Sequence, residues 1–549
     1  MRSTLTLVAF MIAVATPSLA ADDTADLRQL VQSLQQRLEQ QDTELQRLRA
    51  QQAELRERLE YKSPPQPGSA VAERPQEPAV TPPPDQQPVS PSVAAQPRTE
   101  YRGPWWKGER LTIGGYGSFR FEANDVPGDQ FIPSGSANSF TFRRFVLTTD
   151  SRLSDRIRIY SETEFERLLE LELEKRATRE AGGVKFANEV EGNSGAEIGI
   201  EQIWAQFDLG KGQAIRGGLI LPPLGRFNLL HDDDYWDVPR RTLVDRNAPV
   251  VPVKVAWREL GLGWVGSANL GSTAKLDYQV YAMNGSTLDF NLENVVQTRT
   301  PSRSKLELEA ELGLTSGAAD GTRNTSAVGW RVALSPTLAG EIALSGYHGG
   351  YTPTWISASE TVNSVAVDGK WRFGAFEIEG EAVYTSFGNV RALAQSLAEA
   401  VFHSSAETSS SETAELENEI EIGLGGLSSR RFGFWTDFKY HWRPAFLKKS
   451  FLGRGFEDPQ LIPIVRYERV WMWKDVEELA FTGGLVTDLT LQDLEQDRIT
   501  LGMNYRPTAQ FGFQLAYEHN QRRRGAVLIF PRVPQKSTNG FFLGWTFSF

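Results

Sequence analysis

The segment that decides the fold reads Gly540-Phe541-Phe542-Leu543-Gly544-Trp545-Thr546-Phe547-Ser548-Phe549. Positions 541, 543, 545, 547 and 549 are large and apolar, while 544, 546 and 548 are small or polar. A period of two places all five bulky groups on one face of a strand. On the edge of a soluble sheet that face would invite association with other chains. Against lipid it is satisfied, and a lipid-facing strand belongs to a closed barrel, because open sheet edges cannot survive in hydrocarbon.

The same period recurs upstream. In Arg156-Ile157-Arg158-Ile159-Tyr160-Ser161-Glu162-Thr163-Glu164-Phe165 one face carries Arg156, Arg158, Glu162 and Glu164, and the other carries Ile157, Ile159 and Phe165. From Thr112 onward short alternating segments follow one another. Many are joined by tight turns such as Gly210-Lys211-Gly212, Gly271-Ser272-Thr273, Ser335-Pro336-Thr337 and Arg506-Pro507-Thr508, which alternate with longer polar connections. Short turns at one end and long loops at the other predict an all-β fold, a transmembrane antiparallel barrel of about 16 strands (16 to 18), wide enough for an aqueous lumen. Glu419–Leu427 and Glu478–Leu489 are among the segments read as separate strands.

The N-terminal part follows other rules. Arg2, the apolar run Leu5–Ala15 and the small-x-small site Ser18-Leu19-Ala20 predict an export signal over residues 1–20, with the mature chain beginning at Ala21. Leu27, Val31, Leu34, Leu38, Gln41, Leu45, Leu48, Gln52, Leu55 and Leu59 keep an unbroken 4-3 spacing without Pro or Gly between them. Residues 22–61 are therefore expected to form an α-helical coiled coil in the periplasm, since one narrow apolar stripe can be covered only by partner helices. Residues 62–104, with Pro64, Pro65, Pro67 and Pro82-Pro83-Pro84, have the composition of an extended spacer. The barrel unit is then 105–549.

Composition excludes whole function classes. The 549 residues contain no cysteine, so neither disulfides nor thiolate metal sites are available. The formal net charge is -11, and residues 105–549 hold 47 of the 58 Lys and Arg against 56 of the 69 Asp and Glu. That balance argues against a nucleic-acid partner. Five scattered histidines, with neither H-E-x-x-H nor G-x-S-x-G, leave no nucleophile–base arrangement, and no enzyme activity or cofactor is expected.

Candidate lumen residues cluster after Pro222. Residues 226–257 contain His231-Asp232-Asp233-Asp234-Tyr235-Trp236-Asp237 followed by Arg240, Arg241 and Arg246. Folded into a barrel, these acids and bases would govern ion passage; on the surface they would be a solvated loop, and the residues alone leave both open. His231 with three aspartates could hold Ca²⁺ or Mg²⁺, but consecutive residues rarely converge on one ion, so no metal is assigned. Arg156, Arg158, Glu162, Glu164 and Arg216 are further candidates for the lumen. Ala392–Phe402 has the pattern of a short helix, and Ser404–Glu419 that of an acidic outer loop able to hold cations that bridge lipopolysaccharide.

Several stretches resemble a known family. Arg143-Arg144-Phe145, Ile157-Arg158-Ile159-Tyr160, Ile215-Arg216-Gly217-Gly218-Leu219-Ile220-Leu221-Pro222-Pro223-Leu224-Gly225 and Ile464-Val465-Arg466-Tyr467-Glu468 are similar to the phosphate-selective porin O and P family. The terminal Phe549 looks like the aromatic signal by which outer-membrane barrels are recognised for assembly. The resemblance implies a trimeric pore of 16 strands, narrowed by an in-folded loop and passing small solutes passively. Three helices in the coil fit that trimer. Phosphate specificity is not carried over, because Glu162 and Glu164 share a strand with Arg158. The expected partners are outer-membrane lipid and lipopolysaccharide, further copies of the chain and small ions. The alternative function is a tether in which coil and spacer reach the peptidoglycan.

Overall fold

The computed structural model describes residues 106–549 apart from 109, 127–134, 167–170, 181–182, 193–196, 248–249, 255, 301–302, 318–325, 409–419, 426, 483–484 and 526–535. The signal segment, the coiled coil and the proline-rich spacer thus lie outside the described residues.

Sixteen strands close into one barrel. They are β1 (Leu111–Val126), β2 (Gly135–Ser154), β3 (Ile157–Glu166), β4 (Glu197–Gly210), β5 (Gln213–Ile220), β6 (Glu259–Leu270), β7 (Ala274–Met283) and β8 (Ala327–Thr337). Then follow β9 (Gly340–Gly350), β10 (Thr361–Phe373), β11 (Phe376–Ser386), β12 (Ser428–Tyr440), β13 (Gln460–Thr482), β14 (Leu485–Thr508), β15 (Phe511–Arg524) and β16 (Ser537–Ser548). Each pairs antiparallel with the next, and β16 returns to β1 in the register Tyr116↔Ser548 to Asn124↔Gly540. No open edge is left among these sixteen strands, which removes the row of unpaired ladder groups that hydrocarbon would not tolerate.

The two ends differ as expected, although Ser335-Pro336-Thr337 and Arg506-Pro507-Thr508 fall at the ends of strands β8 and β14 and the turns come just after them, at 338–339 and 509–510. Turns at 155–156, 211–212 and 271–273 are tight, and Gly210, Lys211 and Gly212 all take positive φ, which only glycine adopts without cost at the outer positions. The longer connection at this end, 441–459, carries a short helix, Ala445–Lys449. The other end bears a hairpin (Leu171–Glu180 with Gly183–Gly192), a second (Thr287–Thr300 with Arg303–Thr315) and the helix Val390–Thr408, which extends beyond the expected short helix at both ends. The acidic loop that follows falls partly in 409–419, outside the described residues.

Two segments expected to be barrel strands are placed otherwise. Ile420–Gly425 pairs in parallel with the second hairpin and antiparallel with the tip of β13, beyond the barrel wall. Glu478–Leu489 is the tip of the long β13–β14 hairpin, whose strands run 23 and 24 residues. Alternation marks a strand but not whether it is new or an extension of its neighbour.

Side chains sort by parity. On β10 Val362, Ser364, Ala366 and Asp368 are buried inward, while Val365 and Val367 are exposed outward. On β16 Phe541 and Leu543 face out, and Phe542, Thr546 and Ser548 face in. Ile198, Leu262, Val328, Leu344 and Leu501 continue the outer apolar belt around the barrel. No helix among the described residues is long and apolar enough to cross a membrane. The strands with their apolar belt do so instead.

Candidate channel constriction

β5 ends at Leu221-Pro222-Pro223, and two consecutive prolines cannot continue a sheet ladder. Gly225 follows with φ 70°, and a Cβ there would lie 2.3 Å from the Glu381 carboxylate. The chain therefore turns inward, and most of the described residues between Arg226 and Trp257 are buried within the lumen. Its first helical turn, Arg226–Leu229, hangs on β9 and β11: Gly225 N–H donates to Ser345 Oγ (3.0 Å), and Arg226 and Phe227 N–H both donate to Glu381 Oε2 (2.7 and 2.8 Å). The Arg226 guanidinium bonds Glu379 at 2.6 Å and Glu341 at 3.0 Å.

Further along, the loop reaches the opposite strands. Phe227 stacks on Trp236 with centroids 4.4 Å apart, and Trp236 meets the edge of Trp435 at 5.3 Å. Asp237 takes Lys439 Nζ at 3.1 Å, Arg506 Nε at 3.1 Å and Asn504 Nδ2 at 2.8 Å. Burial alone would raise the Asp237 carboxyl, but Lys439 and Arg506 hold it well below the ordinary range. Gln514 donates to the Trp236 carbonyl (2.6 Å), Arg120 to that of Pro239 (2.8 Å), Arg466 to that of Arg240 (3.1 Å), and Leu243 N–H reaches Glu468 (2.8 Å). A loop so tied is a buried partition of the lumen, and the surface-loop alternative is set aside.

The side chains that receive it owe their positions partly to two bulges. Ser118 pairs with Arg144 and Phe119 with Phe142, so Arg143 is an extra residue in β2; Arg143 and Arg144 both turn inward and are buried. Glu162 pairs with Gln202 and Thr163 with Ile200, so Glu201 is extra in β4; Glu201 and Gln202 are both buried inward. A bulge re-aims a side chain that strict alternation would send to lipid.

The candidate residues divide accordingly. Asp233 accepts Ser118 Oγ at 2.6 Å and lies 3.5 Å from Arg144 and 3.9 Å from Arg241. Burial opposes its charge, yet Arg144, Arg241 and Arg143 keep this carboxyl well below its usual value. Asp232 sits 3.8 Å from His231 Nε2, which is itself 2.9 Å from Glu201. Asp234 is buried, and its carbonyl accepts Arg506. Arg240 reaches Glu122 (3.4 Å) and Glu518 (3.7 Å). Arg246 belongs to the turn Leu243–Asn247, with its side chain outside the described residues.

On the wall, Glu164 pairs with Arg144 at 3.0 Å, and Glu162 accepts Gln202 at 2.8 Å. Arg216 bonds Gln206 and lies over the Trp204 ring at 4.0 Å. Arg158 grips Asp150 at 2.8 and 2.6 Å. Arg156 is not in the lumen: it is exposed at the 155–156 turn, packed over Phe207. Arg156 closes the turn rather than belonging to the strand, which starts at Ile157, so parity does not fix its direction. Phe549 exchanges both backbone bonds with Gly115 and stacks on Phe145 at 5.8 Å, at the seam where β16 meets β1.

The sequence reading missed Glu201, Arg120, Lys439, Arg498 and Arg506. Where alternation holds, a charged residue at every second position of an otherwise apolar strand, as in Asp437-x-Lys439 or Arg466-x-Glu468, is the signal that finds such residues. These charges are paired, and four of the paired arginines, Arg120 (with Glu122), Arg143 (with Glu166), Arg240 (with Glu122 and Glu518) and Arg241 (with Asp233), also face a common crevice beside Asp233 and Ser118.

No family model matches the chain. An uncharacterized protein of Aquifex aeolicus is 27% identical over 110 residues, 19% of this chain and 23% of that protein, so the match spans about a quarter of the relative's length. Among solved structures, the anion-selective porin from Comamonas acidovorans aligns over 80% of this chain and 99% of its own, at 10% identity and a TM-score of 0.42. The trimer form of the outer membrane protein OmpT of Vibrio cholerae covers 80% and 100% at 10% identity and 0.41. The outer membrane channel DcaP of Acinetobacter baumannii covers 81% and 99% at 11% identity and 0.41. The chain's own closed register, apolar belt and inward loop define a transmembrane β-barrel of the porin architecture, an outer-membrane fold.

Proposed function

We propose that the barrel is a passive outer-membrane channel for small anionic solutes, with phosphate as a representative, and that it works as a homotrimer. The observation that carries this reading is the crevice where Arg120, Arg143, Arg240 and Arg241 face one space with Asp233 as the single carboxylate of its lining. Guanidinium groups are weakly hydrated and grip phosphate and carboxylate through paired N–H donors. Clusters of them at a narrow point favour anions. The remote acidic groups of the barrel do not oppose this, because exposed charges beyond a Debye length of ~8 Å are screened at physiological salt, while Glu122, Glu166 and Glu518 beside the crevice bond Arg120, Arg143 and Arg240.

The resemblance to the phosphate-selective porin O and P family supports the same solute class, and the 4-3 seam of residues 22–61 supports the trimer. The outer loops face lipopolysaccharide, and Phe549 serves as the assembly signal. A tether to peptidoglycan is a second reading, favoured by that seam and its spacer. Deleting residues 22–100 separates the two: a tether loses cell-wall attachment, a pore keeps its conductance.

The deciding experiment is single-channel recording in planar bilayers with asymmetric salt. An anion-selective reversal potential is expected, moving toward cations in the Arg240→Glu, Arg241→Glu variant. Absence of any channel overturns the pore, and cation selectivity in the unaltered protein overturns the anion reading.

A further inference from the structure

At the root of the constriction loop, ligand atoms of Glu162, Glu201, His231 and Asp232 lie within 4.8 Å of one another, and all four residues are buried. They come from β3, from the bulge of β4 and from two successive loop residues. They are not the His231 and three aspartates that stand together in sequence: Asp233 turns away to Ser118 and Arg144.

Two features of His231 and Glu201 fit a cation. His231 Nδ1 lies 3.1 Å from the Asn228 carbonyl oxygen, which can only accept a hydrogen bond. The proton of a neutral ring is therefore on Nδ1, and Nε2 presents its lone pair to Glu201 Oε2 at 2.9 Å. With a neutral ring two acceptors face each other there, a contact that a second proton on the imidazole or a cation at Nε2 satisfies. Secondly, Glu201 is fully buried, and its other oxygen, Oε1, has Arg144 Nη1 no nearer than 3.6 Å, with the Glu164 carboxyl as a further neighbour of the group. A buried carboxylate is costly unless positive charge compensates it.

Local charge agrees. Glu162, Glu164, Glu166, Glu201, Asp232 and Asp233 face the guanidinium groups of Arg143, Arg144 and Arg241 in one contiguous set. A divalent ion, with the imidazole neutral, would fill the space between Nε2 and the carboxylates. One imidazole nitrogen and three carboxylates form a mixed donor set that suits first-row divalent metals such as zinc better than the all-oxygen shells of calcium or magnesium. The Nδ1 bond to a backbone carbonyl is the kind of outer contact that orients a ligating histidine.

We propose that Glu162, Glu201, His231 and Asp232 bind one first-row divalent cation, which pins the constriction loop to strands β3 and β4. The site does not depend on which solute passes the barrel. It fixes the loop where it borders the arginine crevice, since Asp233 adjoins both.

The test uses the whole chain refolded in detergent, stripped with chelator and titrated with Co²⁺ under visible absorption and with Zn²⁺ by calorimetry. One ion per chain and ligand-field bands are expected. Glu201→Gln and His231→Asn should each weaken binding by about tenfold or more. His348→Asn, whose ring is exposed and bonded to Asn363 on another part of the wall, should leave it unchanged. Heat-modifiable gel mobility reports that each variant is a closed barrel. Should the variants fail to close, hydrogen exchange of the unaltered protein decides: Zn²⁺ should slow exchange at 228–233. No ion bound, binding that survives both substitutions, or no change in exchange overturns the proposal.

Discussion

Asp237, in the middle of the constriction loop, accepts Lys439 Nζ from β12 at 3.1 Å while its other oxygen takes Arg506 and Asn504 from β14. One carboxylate thus fastens the loop to two strands that are hundreds of residues away in sequence.

Asp237→Asn should free the loop at this side. Lys439 and Arg506 would lose a buried counter-charge, and breaking such a pair costs about 3–5 kcal/mol. The expected outcome is noisier single-channel current and faster hydrogen exchange at 234–240, with the barrel still closed. The pH dependence has a definite sign. The folded carboxyl lies below its ordinary value of 3.8, so its contribution is full above that value and is lost only as pH falls through the lower, folded one. Loop exchange attributable to this anchor should be flat from neutral pH to about 4 and rise only in stronger acid. A rise beginning near pH 6 would show that Asp237 is not the group that holds it.

Glu381 gives a second handle. Its Oε2 accepts the backbone N–H groups of both Arg226 and Phe227, the first residues of the inward turn. Glu381→Ala leaves two buried donors unpaired, each worth about 1–3 kcal/mol. Glu381→Gln keeps an acceptor oxygen and should retain most of the anchoring. Exchange at 225–229 is expected to rise strongly in the first variant and weakly in the second. Equal effects would mean that charge, rather than acceptance, holds the turn.

The wall was legible because lipid outside and water inside impose a two-residue period on every strand, and β10 and β16 keep it without interruption. What the period conceals is where it breaks. Arg143-Arg144 and Glu201-Gln202 look like register errors in sequence, yet each is a bulge that turns two neighbours inward, and Glu201 was overlooked for that reason. The loop's direction was equally hidden: Pro222-Pro223-Leu224-Gly225 announces only that the strand ends. Whether the chain then goes out or in depends on Ser345, Glu381, Lys439 and Arg506, which no local pattern connects to it. Arg156 shows the converse, a residue given a lumen position by parity although it sits in a turn where parity has no meaning.

Residues 22–61 permit a prediction independent of the barrel. As an isolated peptide they should be helical and trimeric by sedimentation equilibrium, since the 4-3 seam has no other surface to cover. Replacing Gln41 and Gln52 with Leu should raise the melting temperature while loosening the oligomeric state, because polar seam residues trade stability for register. A monomeric or non-helical peptide would remove the coiled coil from the trimer argument.

Phe549 separates assembly from stability. Its N–H and carbonyl pair with Gly115, and its ring stacks on Phe145 at 5.8 Å and near Phe547 at 6.4 Å. Phe549→Ala keeps the backbone pairing and removes ring contacts worth about 0.5–1.5 kcal/mol per aromatic pair. A barrel refolded from denaturant should therefore lose only modest stability, read from its unfolding midpoint in urea. In cells the same variant should accumulate far less folded barrel if the aromatic end is a recognition signal, a loss out of proportion to the change in vitro. If cellular yield falls only as far as the refolded stability does, the ring is a packing group at the seam, and the signal lies elsewhere in the strand.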